Sequence, residues 1–404
     1  MKDFFPGYSR KSELEIKEIW QNGIIMFDTN VLLNLYRYSK STRETIVTLI
    51  GKFKSQIWLP HQAALEYNKN RYEVIADQEK TYKEFTEKII QIQKDLQSSS
   101  KPPFLSEKVH EKLNNVFEKV NSEVEESIKK YCDYLKDDPI YSGLGKLFEN
   151  RITESFDEGQ LEEIFKEGEE RFKNKVPPGY EDEKNKTGNR KYGDLVLWKQ
   201  VIAKAKELGK PVLLVTDERK NDWWWKIKDG RNMGPRHELV SEIKNEAQVD
   251  FHMYSSERFL SYGQTFLEEQ INEKALKEIL AMKKAEMEHL MHLERKQERD
   301  KERNVVMRKK IPFLRLKYED LSSRINEIDQ QQNDLMLDAQ DNVEVQEYIH
   351  NLSIRKAEME QEIEHIKGQM IKYNFRFDTS EGDLDRRKER DYEKLFEYTK
   401  RRKE

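Results

Sequence analysis

Short apolar runs alternate with helical patterns at both ends of the first 260 or so residues. One run, Ile24–Phe27, ends abruptly at Asp28, and another, Val212–Val215, is followed by Thr216 and Asp217. Runs of four apolar residues bounded by polar or turn residues are typical of strands buried in a parallel sheet. Each run is followed by a helical pattern or a turn. The pattern therefore predicts an α/β domain with a parallel sheet.

Two weaker strands and several helices complete this pattern. The strands are predicted at residues 56–60, which end in a proline, and at residues 249–254. The expected helices cover residues 42–53, 61–71, 193–208 and 234–247, with another beginning near residue 256. Thr29 or Asn30 is the expected cap of the helix after the first strand.

The intervening residues, 67–175, show charged helices with sparse apolar positions. They are interrupted at residues 98–103 and again at Asp137-Asp138-Pro139. We interpret this region as an insertion of two to four helices. The α/β pattern resumes after Val176.

No strand is predicted beyond Gly263. Apolar positions three and four apart recur in two stretches, one from Tyr318 to Leu335 and one from Ile349 to Met370. Such spacing is typical of coiled-coil seams. The short polar break near Asp341 favours an antiparallel hairpin within one chain, and a parallel homodimer is the alternative.

These patterns divide the chain into three parts. A discontinuous α/β domain is expected at residues 1–66 and 176–262, with the helical insertion at 67–175. Residues 263–404 are expected to form a long helix followed by a coiled-coil hairpin.

Composition narrows the class of protein. Charged residues make up 37% of the 404 residues and mean hydropathy is −0.97, yet aromatic residues reach 10%. Solvated helices around a compact core explain this combination better than disorder does. The single cysteine, Cys132, excludes a disulfide framework and a thiolate zinc site, and is typical of a reducing, cytoplasmic compartment. Neither a signal peptide nor a membrane span is predicted.

Four acidic residues occupy positions where α/β proteins bind ligands. Asp28 and Asp217 follow two strands that would be neighbours, and Glu66 and Asp194 lie near the starts of helices. Clustered carboxylates repel one another unless a cation lies between them, and oxygen ligands suit Mg²⁺ or Mn²⁺. The simpler alternatives are that Asp28 caps a helix and that Glu66 and Asp194 are surface charges.

Three motifs together resemble a known family. They are Asp28-Thr29-Asn30-Val31-Leu32-Leu33, Tyr192-Gly193-Asp194-Leu195-Val196-Leu197-Trp198 preceded by Gly179-Tyr180-Glu181-Asp182, and Val215-Thr216-Asp217-Glu218 followed by Asp222-Trp223-Trp224. The set is similar to PIN domains, in particular to a bacterial PIN-like branch with a large helical insertion.

The resemblance implies a nuclease that uses Mg²⁺ or Mn²⁺ held by Asp28, Glu66, Asp194 and Asp217. It implies that Asn30 and Thr216 orient ligands beside the acids, with Asp182 and Asp222 as auxiliaries. The chain departs from the usual compact PIN domain because the insertion separates the second acid from the third, and it can either cover the site or extend it.

A basic and aromatic stretch surrounds the last two acids. Residues 179–236 contain 14 Lys or Arg and nine Asp or Glu, a net charge of +5 in a chain whose net charge is −4. The candidates for binding phosphates are Lys184, Lys186, Arg190, Lys191, Arg219, Lys220 and Arg231. Trp223, Trp224 and Trp225 could stack on bases, although burial of at least two of them is favoured.

The sequence thus predicts a cytoplasmic, metal-dependent nuclease that hydrolyses single-stranded nucleic acid, with endonuclease and exonuclease activity both left open. RNA is favoured over DNA by the resemblance alone, which also suggests a bacterial toxin or an antiphage-defence role. One alternative is a PIN-like scaffold without catalysis that binds a partner or a second copy through its coiled coil. The other is a structure-selective DNA nuclease.

Overall fold

A computed structural model describes residues 4–97, 104–184, 186–336 and 343–372. The chain divides into two units, Met1–Lys284 and Ala285–Glu404. The predicted interruption at residues 98–103 and the charged C-terminal residues from 373 onward lie outside the described residues. The proposed domain boundaries remain a prediction.

A parallel sheet of four strands forms the centre of the first unit, as predicted. Its strand order is β2-β1-β3-β6, and a separate antiparallel hairpin pairs β4 with β5. The strands are β1 (Ile24–Phe27), β2 (Ile57–Trp58), β3 (Val212–Val215), β4 (Trp224–Lys226), β5 (Asn232–Pro235) and β6 (Phe251–Tyr254). All four residues of β1 and of β3 are buried, which explains their continuous apolar character.

The register of β1 and β3 determines which polar residues meet. Phe27 lies opposite Val215, and the backbone N–H of Asp28 donates to the carbonyl of Val215 at 2.9 Å. The residues that follow the two strands therefore leave the sheet side by side. This brings Asp28 next to Thr216, although 188 positions separate them.

Helices surround the sheet and form most of the remaining structure. They are α1 (Glu13–Asn22), α2 (Thr29–Leu33), α3 (Lys40–Lys52), α4 (His61–Gln97), α5 (Glu107–Tyr134), α6 (Pro139–Leu147), α7 (Glu158–Lys173), α8 (Gly193–Leu208), α9 (His237–Ala247), α10 (Ser256–Phe266), α11 (Glu273–Met336) and α12 (Val343–Lys372). Short 3₁₀ helices cover Asn34–Tyr36, Tyr180–Lys184 and Gly188–Tyr192. Among the described residues, no helix is both long and apolar enough to cross a membrane.

Four local features differ from the sequence prediction. Asp28, rather than Thr29 or Asn30, is the N-cap of α2, because its own carboxylate accepts the first free N–H. Strand β2 is only two residues long. Helix α4 continues without a break into the inserted region. The hairpin of β4 and β5 was missed, because its strands are short and include Gly234 and Pro235.

A buried polar cluster connects the inserted helices to the core. The hydroxyl of Tyr36 donates to Asp138 at 2.5 Å and lies 2.7 Å from the hydroxyl of Tyr67. Arg71 of α4 donates to the same Asp138 carboxylate at 3.0 Å. Asp138 also caps α6, accepting from the backbone N–H of Ile140 at 3.0 Å. One buried carboxylate therefore joins α4, α6 and the segment after α2.

The first turns of α11 belong to the first unit. Ala275 and Ile279 are fully buried in its hydrophobic core. Glu278 accepts hydrogen bonds from Ser39 N at 2.5 Å and from Thr42 Oγ1 at 2.6 Å, at the N-terminus of α3. A carboxylate at this position satisfies free N–H groups and complements the helix dipole.

Within the second unit, the later part of α11 packs antiparallel to α12. Lys317 pairs with Glu362, and Lys356 pairs with Asp329 at 2.6 Å. The residue numbers of the contacts increase along α11 and decrease along α12, as in an antiparallel pair. The predicted seam residues Leu321, Ile363, Ile366 and Met370 are buried between them. Pro312 lies inside α11.

Candidate active site

Asp28 lies at the carboxyl end of β1 and is held by three polar groups. Its Oδ1 accepts from the backbone N–H of Thr29 at 2.7 Å, and its Oδ2 accepts from Thr216 Oγ1 at 2.6 Å and Asn30 Nδ2 at 2.8 Å. Asn30 and Thr216, the predicted orienting residues, therefore contact Asp28 directly. Burial raises the pKa of Asp28 to about 7, and Asp194 and Glu66 add to the increase by repulsion.

Glu66 reaches the same place from the second turn of α4. Its Oε1 accepts from Gln62 at 2.7 Å, and the Thr29 hydroxyl points to its Oε2 at 3.4 Å. Glycine at position 193 makes room for it, because a Cβ there would lie 2.7 Å from Glu66 Oε1. The start of α8 and the second turn of α4 thus approach each other closely at the site.

Asp194 lies in the first turn of α8, directly after this glycine. Its Oδ2 accepts from the indole N–H of Trp223 at 3.2 Å and lies 3.5 Å from the ammonium of Lys220. Burial raises the pKa of the Asp194 carboxyl, and nearby carboxylates raise it further, although Lys220 opposes them. Asp28, Glu66 and Asp194, which are distant in sequence, therefore come within electrostatic reach of one another.

Asp217 faces a different set of partners. Its carboxylate accepts from Ser256 Oγ at 2.6 Å, from Ser256 N at 3.0 Å and from Asn34 Nδ2 at 3.0 Å. Lys283 of α11 lies 2.6 Å from its Oδ1. Burial opposes ionisation, but Lys283 and Ser256 hold the pKa of Asp217 below its ordinary value. In this arrangement its oxygens are already engaged.

Glu218, the next residue, is the acid that sequence reasoning missed. Its N–H donates to Thr216 Oγ1 at 3.0 Å, and the same hydroxyl donates to Asp28. Its charge raises the pKa of Asp28 and of Asp194. Adjacent residues point in different directions after a strand, so either acid of the Asp217-Glu218 pair could have faced the site.

Lys220 lies among three carboxylates. Its ammonium is 2.6 Å from Asp182 Oδ1, 3.0 Å from Glu218 Oε2 and 3.5 Å from Asp194 Oδ2. Asp182, a predicted auxiliary, is buried and also pairs with Lys186 at 2.5 Å. Burial would raise the pKa of Asp182, but the two lysines lower it.

Asp222, the other predicted auxiliary, is fully buried next to the site. Its Oδ2 accepts from the backbone N–H groups of Gly179 and Glu181 at 2.9 and 3.1 Å. Its Oδ1 has no hydrogen-bond partner among the described residues. Burial raises its pKa to about 6. Asp222 thereby fixes the turn at residues 179–181 that precedes Asp182.

The predicted phosphate-binding residues fall into three groups. Lys186, Lys191, Lys220 and Arg231 are engaged in ion pairs with neighbouring acids. Lys184 and Arg190 are exposed on the 3₁₀ segments that lead to α8. Arg219 is partly exposed directly after Glu218.

Two of the three tryptophans are buried, as the sequence analysis favoured. Trp223 and Trp224 are 3% and 5% exposed, and the indole of Trp224 donates to the carbonyl of Glu218 at 2.6 Å. Trp225 is partly exposed and packs edge-on against Tyr8. The buried pair therefore supports the loop that carries Glu218 and Lys220.

The donor chemistry of the site suits a divalent cation. Asp28, Glu66, Asp194 and Glu218 supply oxygen atoms only, and burial, together with repulsion from neighbouring carboxylates, raises the pKa of Asp28 and Asp194. Among the described residues, no three His, Cys, Asp or Glu side chains are close enough together to hold an ion in this arrangement. The acids would have to come closer together to hold one ion.

The sequence was compared with models of known protein families. The sequence model described as "PIN like domain" matches residues 24–239, more than half of the chain. The chain therefore belongs to the PIN-like domain family. PIN-like domains are generally nucleases, which typically use divalent metals and bind nucleic acid. No curated protein and no solved structure matches the chain.

Proposed function

We propose that the protein is a metal-dependent nuclease that hydrolyses phosphodiester bonds of single-stranded nucleic acid in the cytoplasm. The observation that carries this proposal is the approach of Asp28, Glu66 and Asp194 at the carboxyl ends of β1 and β3. Burial opposes the ionisation of Asp28 and of Asp194, and the charges of Asp194 and Glu66 oppose that of Asp28 further. Three acids from separate parts of the chain therefore raise the energy of the apo protein. Function is the simplest reason for a folded protein to retain such a cluster.

Asp28, Glu66 and Asp194 would hold Mg²⁺ or Mn²⁺, with Glu218 as a further oxygen ligand or a positioning residue. When bound, such a cation supplies Lewis-acid stabilisation of the charge that develops on the phosphoryl oxygens. Asp217 was predicted as the fourth ligand. Its engagement with Ser256 and Lys283 supports a positioning role for it instead.

The remaining residues of the site orient the Asp28 carboxylate or bind the substrate. Thr29, Asn30 and Thr216 fix both oxygens of Asp28 through hydrogen bonds. Hydrolysis forms a bond between a water oxygen and phosphorus and breaks a phosphorus–oxygen ester bond. The site's carboxylates are suited to take up the proton of the attacking water. The exposed Lys184 and Arg190 would bind the backbone phosphates.

Cleavage of labelled single-stranded RNA and DNA of the same sequence tests the proposal. Each substrate is incubated with Mg²⁺, with Mn²⁺ or with EDTA. We expect cleavage with either metal and none with EDTA. We expect faster cleavage of RNA, a preference that rests on the family alone. Equal rates on both substrates would remove the preference without affecting the hydrolytic site.

Asp28→Asn is the decisive variant, because it keeps the shape of the side chain and removes its charge. We expect the cleavage rate to fall about 100-fold or more, which is the size of effect seen when a group that takes part in proton transfer is removed. Asp77→Asn, an exposed aspartate on α4, is the matched control and should keep full activity. A folded Asp28→Asn protein that cleaves at the wild-type rate would disprove the assignment of Asp28 to the catalytic site. Absence of cleavage by the wild type would instead favour the scaffold without catalysis.

A further inference from the structure

The ammonium of Lys220 occupies a position between carboxylates that a cation would otherwise fill. It lies within 3.5 Å of Asp182, Glu218 and Asp194, and its side chain is 27% exposed. The loop fixes the Glu218 carboxylate beside it, since the N–H groups of Arg219 and Lys220 both donate to Glu218 Oε1. The buried Trp223 also donates to Asp194 and fixes the carboxylate that Lys220 approaches.

Some acids at the site are therefore paired with a lysine and others are not. In the part of the chain that the structure describes, Asp28 and Glu66 form no ion pair, and their partners are Thr29, Asn30, Thr216 and Gln62. Asp182 and Glu218 are paired with Lys220, and Asp217 is paired with Lys283. Asp194 lies between the two groups, with one oxygen toward Lys220.

Sites that use two divalent ions place them about 3.5–4 Å apart, bridged by a shared ligand. Lys220 is already 3.0 Å from Glu218 and 3.5 Å from Asp194. A second divalent ion between these two acids would meet the ammonium at close range, where like charges repel strongly. The second position is therefore blocked while Lys220 stays in place.

We infer that this site binds a single divalent cation, on the side of Asp28, Glu66 and Asp194, and that Lys220 supplies the second positive charge. The inference rests on the proposed function, since it concerns the same acids. An ammonium at this position can donate hydrogen bonds to a phosphoryl oxygen of the substrate. Lys220 would thus perform the charge-stabilising part of a second metal without being one.

The number of Mn²⁺ ions bound by the full chain tests the inference. It is measured by electron paramagnetic resonance of free Mn²⁺ during titration, without substrate. We expect one ion per chain for the wild type. Lys220→Met removes the charge and keeps much of the apolar stem. Because the ammonium no longer blocks the second position, we expect this variant to bind two ions per chain.

Lys186→Met is the matched control. Lys186 belongs to the same network, but its one ion pair in the described structure is with Asp182, so its removal should leave one ion per chain. Thermal melts of each variant establish that the fold is retained. If Lys220→Met does not melt cooperatively, Lys220→Gln replaces it, because a side-chain amide can still donate to Glu218.

Two ions bound by the wild type would overturn the inference and leave the nuclease proposal intact. A folded Lys220 variant that still binds one ion with wild-type affinity would do the same. Absence of Mn²⁺ binding by the wild type would instead overturn the proposed metal-dependent function, and the inference with it. The two failures are therefore distinguishable in one set of titrations.

Discussion

The ammonium of Lys283 lies 2.6 Å from the carboxylate of Asp217. Lys283 lies near the beginning of α11, a helix that the sequence analysis assigned to the C-terminal extension. Asp217 comes two residues after the end of β3. The lysine also pairs with Glu257 of α10. This contact ties the beginning of α11 to the loop that carries the candidate site.

Lys283→Met should destabilise the first unit. Asp217 is nearly buried, and loss of its counter-ion would leave a desolvated negative charge without a partner. Because Lys283 is partly exposed, we expect a cost of about 2 kcal/mol rather than the larger values of fully buried pairs. Urea unfolding of the variant and the wild type measures the difference.

The double variant Lys283→Met, Asp217→Asn separates the pair from the packing of the lysine stem. We expect it to be more stable than the sum of the two single effects implies, by about 1 kcal/mol or more. Additive effects within error would mean that the two side chains are not coupled in solution.

Gly193→Ala should displace Glu66 without harming the fold. The added Cβ would lie 2.7 Å from Glu66 Oε1, the mobile end of a long side chain, so the carboxylate can move away at little cost. Alanine also favours the helix that begins at this residue. We expect an unchanged or higher melting temperature, together with at least about tenfold weaker Mn²⁺ binding, equivalent to about 1.4 kcal/mol.

Gly143→Ala in α6 is the control for this prediction. It makes the same substitution in a helix where no atom lies within 4 Å of the new Cβ. Its Mn²⁺ affinity should equal that of the wild type. If Gly193→Ala also retained wild-type affinity, Glu66 would have no part in binding the ion.

Asp138→Asn should weaken the attachment of the inserted helices. The carboxylate accepts from Tyr36 at 2.5 Å and from Arg71 at 3.0 Å, and the substitution leaves the arginine charge without its ion-pair partner. We expect a loss of about 3 kcal/mol in the free energy of unfolding. Asp137→Asn, at the exposed neighbouring position, should change stability by less than about 0.5 kcal/mol. Equal effects at both positions would show that the buried cluster contributes nothing.

His252 should make the protein less stable in mild acid. Burial, together with Lys11 and Arg258, lowers the pKa of this histidine to about 4, below its value of about 6.5 in an unfolded chain. Between these values the unfolded chain binds a proton that the folded protein does not bind. Stability from this group is therefore present above about pH 6.5 and is lost as the pH falls toward 4.

His252→Phe removes this titration and keeps an aromatic ring next to Tyr254. We expect the wild type to lose about 2 kcal/mol more than the variant between pH 7 and pH 4, measured by denaturant unfolding at each pH. His289→Phe, at an exposed position of α11, should leave the wild-type pH profile unchanged. Parallel profiles for the wild type and His252→Phe would contradict the prediction.

Local sequence patterns were sufficient to predict much of the fold. Four apolar residues followed by a carboxylate predicted β1 and the position of Asp28, and Val212–Val215 predicted β3 in the same way. Gly193 and Gly209 correctly predicted the limits of α8. These predictions succeed because burial on both faces and backbone conformation act over a few neighbouring residues.

The assignment of each acid was decided by tertiary structure. Asp217 and Glu218 are adjacent and equally charged, and only the packing around β3 turns one toward Ser256 and the other toward Thr216 and Lys220. The sequence singled out Lys220 only as a candidate for binding phosphates, and Lys283 had no distinguishing pattern among 73 basic residues. The sequence by itself determined where the strands end and which acids follow them. Their partners were decided by contacts between residues far apart in the chain, because side-chain direction and ion pairing depend on which surfaces come together on folding.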